Sequence, residues 1–456
     1  MKRVSSILIV AALVFASFST NLHAAPMKEW TLAVFLNADN NLDPFGVEDQ
    51  QEMSRVGSSD HLNIVSLIDR EHGPAQINYI EKGKINKVKD MGELDMGDYR
   101  QLVNFMKFVK ENYPAKHYCL TIWNHGSGWK NKNENAVVRG ISYDDSSNNH
   151  ITNAQLSVAL KEINSVIGKK IDIVEFDACL MQMVEVVHAC KDYSNYIIAS
   201  EETEPGKGAP YDDILKNVKP GMAPDAFCKN WVKAFLASYN GGSQGYDEST
   251  QSAIDCSKFG KMMDAINGFA KTSMSGKYAR DFVTVLRQVQ KFSYPENIDL
   301  IHFATLLKAQ LKNDEAMKTA CDKVIAAANE MIIANGSTGY STKNSKGIAI
   351  YLPSNFMVEA KYKTLSFAKD SMWDEMLAEL MNRNMADKVV DDVKAGSLEA
   401  LKKIVAFAER NQQEKGLFRF IARELKFEFT QESKVPAEIE SEFLTLLDRL
   451  TEISVN

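Results

Sequence analysis

Two short stretches carry residue types that can make and break covalent bonds. Ile171-Asp172-Ile173-Val174-Glu175-Phe176 reads as a buried strand, and it gives way through Asp177-Ala178-Cys179-Leu180 to Leu180, Val184 and Val187 at helical spacing. This predicts Cys179 at a strand-to-helix junction, where a helix N-terminus favours thiolate over thiol. Upstream, His117-Tyr118-Cys119-Leu120-Thr121-Ile122-Trp123 reads as a second core strand and ends in Asn124-His125-Gly126-Ser127-Gly128-Trp129. Alone, each residue has a plainer reading: a small buried thiol, and a histidine bonded to a loop carbonyl. Together they suit nucleophilic attack on a carbonyl, with sulfur as nucleophile and imidazole as proton donor to the leaving group.

For that chemistry the two strands must lie side by side. Leu156, Leu160 and Ile163 fall in helical register between Asn153 and Ser165, so this segment can be the crossover of a βαβ unit. A crossover makes the strands parallel and brings His125 and Cys179 to one sheet edge, the carboxyl edge at which open parallel sheets gather reacting groups. The rest of the chain fits that frame. Strands over 31–36, 64–68, 196–200, 251–255 and 347–352 alternate with helices over 100–111, 223–239, 259–272, 279–289, 301–311 and 315–331, and this alternation argues for a mainly parallel sheet covered on both faces. Residues 127–149 turn polar and read as exposed loops, and 201–210 reads as a Gly/Pro-rich loop suited to substrate binding. Beyond Phe367 the pattern is almost wholly helical, including 398–408 and 440–450.

At 456 residues the chain exceeds what one hydrophobic core usually supports. The expected division is a leader over 1–25, a main domain over 26–384 and a helical extension over 385–456. Met1-Lys2-Arg3, an apolar run from Ile7 to Phe18 and then Asn21-Leu22-His23-Ala24-Ala25 have the three zones of a secretory signal peptide, with cleavage expected after Ala24 or Ala25. The apolar run is shorter than the roughly 18 residues that a spanning helix needs, so export is expected, to the periplasm, cell surface or medium of a bacterium, with no membrane span left in the mature chain. Formal net charge is −7, falling to about −9 without Lys2 and Arg3, which speaks against nucleic acid as a partner. The six cysteines are scattered, and Cys119, Cys190, Cys228 and Cys321 sit in apolar patterns that suit small buried thiols. None has the paired spacing of a zinc site.

Asn124-His125-Gly126, Arg139-Gly140-Ile141 with Asp144-Asp145-Ser146, and Glu175-Phe176-Asp177-Ala178-Cys179-Leu180-Met181 together resemble the clostripain family of cysteine peptidases, relatives of caspases, legumain and gingipains. Ala38-Asp39-Asn40-Asn41-Leu42, Met96-Gly97-Asp98, Ser200-Glu201-Glu202-Thr203-Glu204-Pro205-Gly206 and Gly347-Ile348-Ala349-Ile350-Tyr351-Leu352-Pro353 follow in the family's order, so the likeness runs from about Trp30 to about Pro353. It implies a caspase-like α/β/α sandwich, a His125–Cys179 dyad, and an oxyanion held by the backbone N–H groups of Gly126 and Cys179. It also implies protein or peptide substrates cut after Arg or Lys. Asp177 stands where caspases carry the glutamine of their Gln-Ala-Cys signature, so it is expected to line the pocket for the residue before the cut, with Glu201 and Glu202 adding negative charge. The plainer reading of Asp177 is a helix N-cap. Ala209 stands where the family often has an aromatic residue and is expected to widen the site. Members often cut themselves between histidine and cysteine, which here implies cleavage after Arg139, with Lys130 and Lys132 as competitors. Calcium, used by clostripain itself, could bind at Asp144-Asp145 or Asp39-Asn40-Asn41, but neither has EF-hand spacing, and solvated or capping carboxylates are the expectation, with no metal and no other cofactor.

Two rivals come from other classes. Gly241-Gly242-Ser243-Gln244-Gly245 matches the nucleophile elbow of serine hydrolases, but a helix precedes it and a strand follows, the reverse of what the elbow needs. A peptidase-like scaffold that only binds is the other, and the presence of both dyad residues counts against it.

Overall fold

The computed structural model describes residues 27–129, 140–411 and 414–455, so the leader lies outside the described residues. The strands are β1 (Lys28–Ala38), β2 (Leu62–Arg70), β3 (Ala75–Glu81), β4 (Lys84–Gly92), β5 (Ala115–Trp123), β6 (Gly140–Asp144), β7 (Asn149–Thr152) and β8 (Ile171–Asp177). After them come β9 (Ser194–Ala199), β10 (Asn240–Gly242), β11 (Gly245–Tyr246), β12 (Ser249–Asp255), β13 (Asn297–Asp299), β14 (Ile332–Thr338) and β15 (Ala349–Tyr351). Helices α1 (Asp43–Val56), α2 (Tyr99–Asn112), α3 (Asn153–Ile167), α4 (Val184–Cys190), α5 (Tyr211–Leu215), α6 (Pro224–Ser238) and α7 (Phe259–Met274) interleave with them. Then follow α8 (Ala279–Leu286), α9 (Leu300–Gln310), α10 (Glu315–Met331), α11 (Ser366–Asp370), α12 (Trp373–Lys394), α13 (Glu399–Arg410), α14 (Lys415–Phe427) and α15 (Glu440–Val455).

A nine-stranded sheet in the order β14-β12-β9-β8-β5-β1-β2-β3-β4 forms the middle layer. Its centre, β9-β8-β5-β1-β2, is parallel, as the alternation of strands and helices predicts. Both flanks run antiparallel, so the sheet as a whole is mixed. The flanks are the part the pattern did not announce: β3, β4 and β14 carry few of the unbroken apolar runs that mark a doubly covered strand. β1 has Trp30–Ala38 buried throughout, whereas the edge strand β4 is mostly exposed and carries Lys84, Lys87 and Lys89, charges that keep a sheet edge from pairing with another chain.

Two apolar cores flank the sheet. One packs α2, α3, α4 and α7–α10 against its first face, and the other packs α1, α5 and α6 against the second. The crossover α3 begins on a reciprocal cap, in which Thr152 accepts from Gln155 N–H while the Gln155 side chain accepts from Thr152 N–H. Residues 347–352 do form a strand, but outside the central sheet: β15 pairs with β13, and Ala349 bridges to Met183 beside the cysteine loop. Residues 140–149, the end of the stretch expected as exposed loop, instead fall in the hairpin β6–β7, with Asp144 buried.

A third core, built from α13, α14, α15 and the second half of α12, stands apart. The boundary expected near residue 385 falls inside α12. Trp373, Met376, Leu377 and Leu380 belong to the main core, while Ala386, Val389, Val390 and Val393 belong to the extension.

Candidate active site

The site is built by strand register. β5 and β8 are parallel neighbours with Trp123 opposite Asp177, and Asn124 N–H donates to the Asp177 carbonyl at 3.3 Å. His125 and Cys179 each follow two residues beyond that last pair, so equal offsets carry them to the same rim. Both line one cleft of about 250 Å³, together with Leu42, Trp123, Asn124, Asp177, Ala178, Glu204, Pro205, Gly206 and Gly208.

His125 is held by a residue the sequence reading did not nominate. Its Nε2 lies 2.6 Å from Asn41 Oδ1, which accepts when Nε2 carries the hydrogen and so leaves Nδ1 as the proton-exchanging nitrogen. Burial lowers the histidine's pKa, with Asp145 acting the other way, and the ring is therefore neutral at neutral pH. The signal for Asn41 was present, since it lies in a stretch already singled out just past β1, but only the fold brings β1 beside β5.

Cys179 does not begin a helix. Leu180 takes a left-handed φ of 65°, and α4 starts only at Val184, because residues 178–183 are tied sideways into other elements. Leu180 N–H donates to Glu202 O (3.1 Å), Gln182 N–H to Ser200 O (2.9 Å), and Ala349 N–H to Gln182 O (3.0 Å). A left-handed leucine costs roughly 1–2 kcal/mol and persists because these bonds hold it. The helix-dipole argument for the thiol thus falls away. Near the sulfur, Glu204 N–H donates to Sγ at 3.4 Å.

The glycines after His125 have a steric reason. A Cβ on Gly126 would stand 2.4 Å from the Cys179 carbonyl oxygen. Gly128 has φ 62°, and a Cβ there would meet Met183 Sδ at 2.6 Å and Leu180 O at 2.8 Å. The histidine loop therefore packs backbone to backbone on the cysteine loop, which no side chain would allow.

Asp177 is no N-cap. Its carboxylate accepts from Tyr211 Oη–H (2.8 Å) and from Ala209 N–H (3.2 Å to each oxygen), inside the cleft floor. Burial raises its pKa to about 6 against these bonds. Ala209 is buried and contributes its backbone to Asp177; it is absent from the cleft lining, so its small side chain does not widen the site. Glu201 and Glu202 do not join the cleft. Glu201 is buried on the far side of its loop, accepting from Gly347 N–H at 2.9 Å and paired with Asp299, while Glu202 accepts from Thr203 N–H and Ser293 N–H. The carboxyl that does reach the floor is Glu204, against Asp177. Arg139, Lys130 and Lys132 lie outside the described residues.

In the two stretches considered for calcium most oxygens have protein partners, while Asp39 Oδ2 is buried with none. Asp144 gives its oxygens to Ser147 and Met96 N–H groups, Asp39 Oδ1 accepts from Ser146, and Asn41 serves His125. Among the described residues no group of three or more His, Cys, Asp or Glu is arranged to hold a metal ion. Gly241–Gly245 is the β10–β11 hairpin, with φ of 85° and 91° at its two end glycines, so Ser243 sits in a turn, not on an elbow.

A three-layer α/β/α core thus carries histidine and cysteine loops side by side at its carboxyl edge. The chain belongs to the clostripain family, whose model matches residues 34–380. It is 29% identical over 224 residues to clostripain of Hathewaya histolytica, a match covering 42% of this chain and 42% of that protein, so less than half of that relative's length is shared. Its fold is similar to that of a secreted C11 cysteine protease of Bacteroides thetaiotaomicron solved with an irreversible peptide inhibitor (TM-score 0.59, 22% identity, 76% of this chain and 100% of that one). It is likewise similar to an inactive zymogen C11 protease of Parabacteroides distasonis (TM-score 0.55, 18% identity, 75% and 98%).

Proposed function

We propose that the mature chain is an exported cysteine endopeptidase that uses His125 and Cys179 to cut peptide bonds after Arg or Lys. One observation carries this reading: the equal offsets of the two residues beyond the Trp123–Asp177 pair, above a cleft floor that holds a buried carboxylate. Cys179 Sγ attacks the scissile carbonyl carbon, its proton passing to His125, and the carbonyl oxygen takes the negative charge against the N–H groups of Gly126 and Cys179. His125 then protonates the departing amine as the C–N bond breaks, and water hydrolyses the thioester to free the enzyme. A neutral His125 suits the first proton transfer, and the bond to Asn41 keeps the ring aimed. Asp177 attracts a cationic side chain into the floor of the cleft.

Hydrolysis of fluorogenic peptides ending in Arg, Lys, Asn or Asp tests the assignment, with Cys179→Ala and His125→Ala as controls. The expected result is turnover of the basic substrates alone and at least a roughly 1,000-fold loss in either variant; equal turnover by Cys179→Ala would sink it. Self-cleavage after Arg139, with Lys130 and Lys132 as competing sites, belongs to the same proposal. It predicts fragments in wild-type preparations and an intact chain in Cys179→Ala. Export predicts a mature N-terminus at Ala25 or Pro26, read by N-terminal sequencing of the extracellular or periplasmic fraction.

A further inference from the structure

Glu204 occupies a position that the proposed mechanism leaves unused. Its backbone N–H touches Cys179 Sγ, and its side chain turns inward so that Oε2 is shielded from solvent although the residue as a whole is only partly buried. Its carboxyl shares the cleft floor with that of Asp177; Oε1 accepts from the Gln251 amide at 3.3 Å, and Oε2 has no hydrogen-bond partner among the described residues. Two buried carboxyl groups in one small cleft disfavour each other's ionisation, so the pair favours holding a proton.

The surroundings offer no compensation. From β8, Glu175 is fully buried with neither carboxyl oxygen hydrogen-bonded, and from α1 Asp49 adds another carboxyl, bonded to Trp123 Nε1 at 2.6 Å. From α5 and α6 the groups facing the pair are the hydroxyls of Tyr211, which donates to Asp177, and Tyr239, which donates to Gly208 O. Cys179 and His125 complete the circle on the cleft side. No ion pair joins Asp177 or Glu204 to a lysine or arginine among the described residues, and Lys207, between two cleft glycines, is exposed. Burial first, then Asp177, Glu175 and Cys179, push the Glu204 carboxyl's pKa well up. The floor therefore favours protonated carboxyls until a cation enters to compensate them.

We infer that Glu204 is a second specificity carboxylate of the Asp177 pocket, one that binds the cationic head group of the residue before the scissile bond and gives up the pair's proton to solvent as it does so. This rests on the reading that the cleft accepts Arg or Lys. A guanidinium offers two edges, and Asp177 and Glu204 can each take one, with the second negative charge generated only when the cation arrives. Ionisation on binding also rejects uncharged isosteres, because they leave the pair to keep its proton.

The test compares full-length wild type and Glu204→Gln on peptides with arginine or citrulline before the cut, and follows proton release when benzamidine saturates the pocket in weakly buffered solution. Wild type is expected to favour arginine and to release close to one proton per site. Glu204→Gln is expected to lose roughly 10- to 100-fold of the preference, to release no proton, and to keep its thermal transition within a few degrees of wild type, which shows that it is folded. Glu204→Asp should restore part of the preference. If Glu204→Gln retains either the preference or the proton release, the role of Glu204 is overturned while basic specificity stands. If wild type itself does not favour arginine over citrulline, the basic specificity falls, and this inference with it.

Discussion

The chemistry of this protein is set by pairs of polar groups that meet at one rim of the sheet, and each pair makes a separate prediction. Asn41 touches His125 without any claim on substrate, so its loss should affect turnover more than binding. Asn41→Ala is expected to lower kcat roughly 10-fold with KM within about twofold of wild type, and Asn41→Asp to raise the pH of the acid limb by placing a carboxylate against the imidazole. A large rise in KM alone would assign Asn41 to substrate binding instead. Gly126→Ala places a methyl group 2.4 Å from the Cys179 carbonyl oxygen, so the two loops must part. Activity should fall by at least about 100-fold, with the main thermal transition shifted only a few degrees, since the collision is confined to the histidine and cysteine loops at the rim of the sheet.

At the level of elements, the loop after β9 is anchored in part by a buried carboxyl, Glu201, beside Asp299. Glu201 accepts from Gly347 N–H, Asp299 accepts from His302 and Lys346 N–H groups, and burial followed by mutual repulsion raises Glu201 well above the usual range, while burial raises Asp299 to about 6. Both groups bind protons more tightly folded than unfolded. Their stabilisation is complete below the ordinary carboxyl range near pH 4 and is lost as pH climbs through the folded values. The Tm of the wild type should therefore drop between pH 5 and pH 8 more than that of Glu201→Gln, which keeps an oxygen for Gly347 and supplies a permanent donor to Asp299. The variant is expected to gain roughly 2–4 °C at pH 8 and little at pH 5, read by calorimetry. Equal pH dependence in the two proteins would show that the pair does not govern the loop.

For the molecule as a whole, the question is what α12 does by serving two cores. The ion pairs of Arg280 with Asp387 (3.3 Å) and Asp391 (2.8 Å) are at the surface and contribute little, so the extension is joined to the main domain chiefly by the continuous helix. A chain ending at residue 384 removes the whole third core and leaves no apolar stub. It should fold and keep peptidase activity within about threefold. A chain ending at residue 395 strips Ala386, Val389, Val390 and Val393 of their partners and should self-associate. If the shorter chain aggregates and the longer one stays monomeric by light scattering, the division of α12 between cores is wrong.

The sequence alone determined the parallel centre of the sheet and the meeting of His125 and Cys179 at its carboxyl rim, because unbroken Ile/Val/Phe runs, helical spacing in 153–165 and the position of both residues just past strand ends are all local signals. It also spoke against a nucleophile elbow at Gly241–Gly245, from the helix before it and the strand after it. Tertiary structure decided the rest. The edge strands β3, β4 and β14 gain their pairing from neighbours and not from an apolar run of their own, and α4 starts late because Leu180 and Gln182 are bonded to Glu202 and Ser200 in the loop after β9. Which glutamate of 201–204 faces the cleft was not legible, since that loop is held by Thr250, Gly347 and Ser293, residues about 45 to 145 positions away, and a strand's alternation ends where the strand does. Local period fixes where a side chain sits on its own element; only packing against distant elements fixes what it touches.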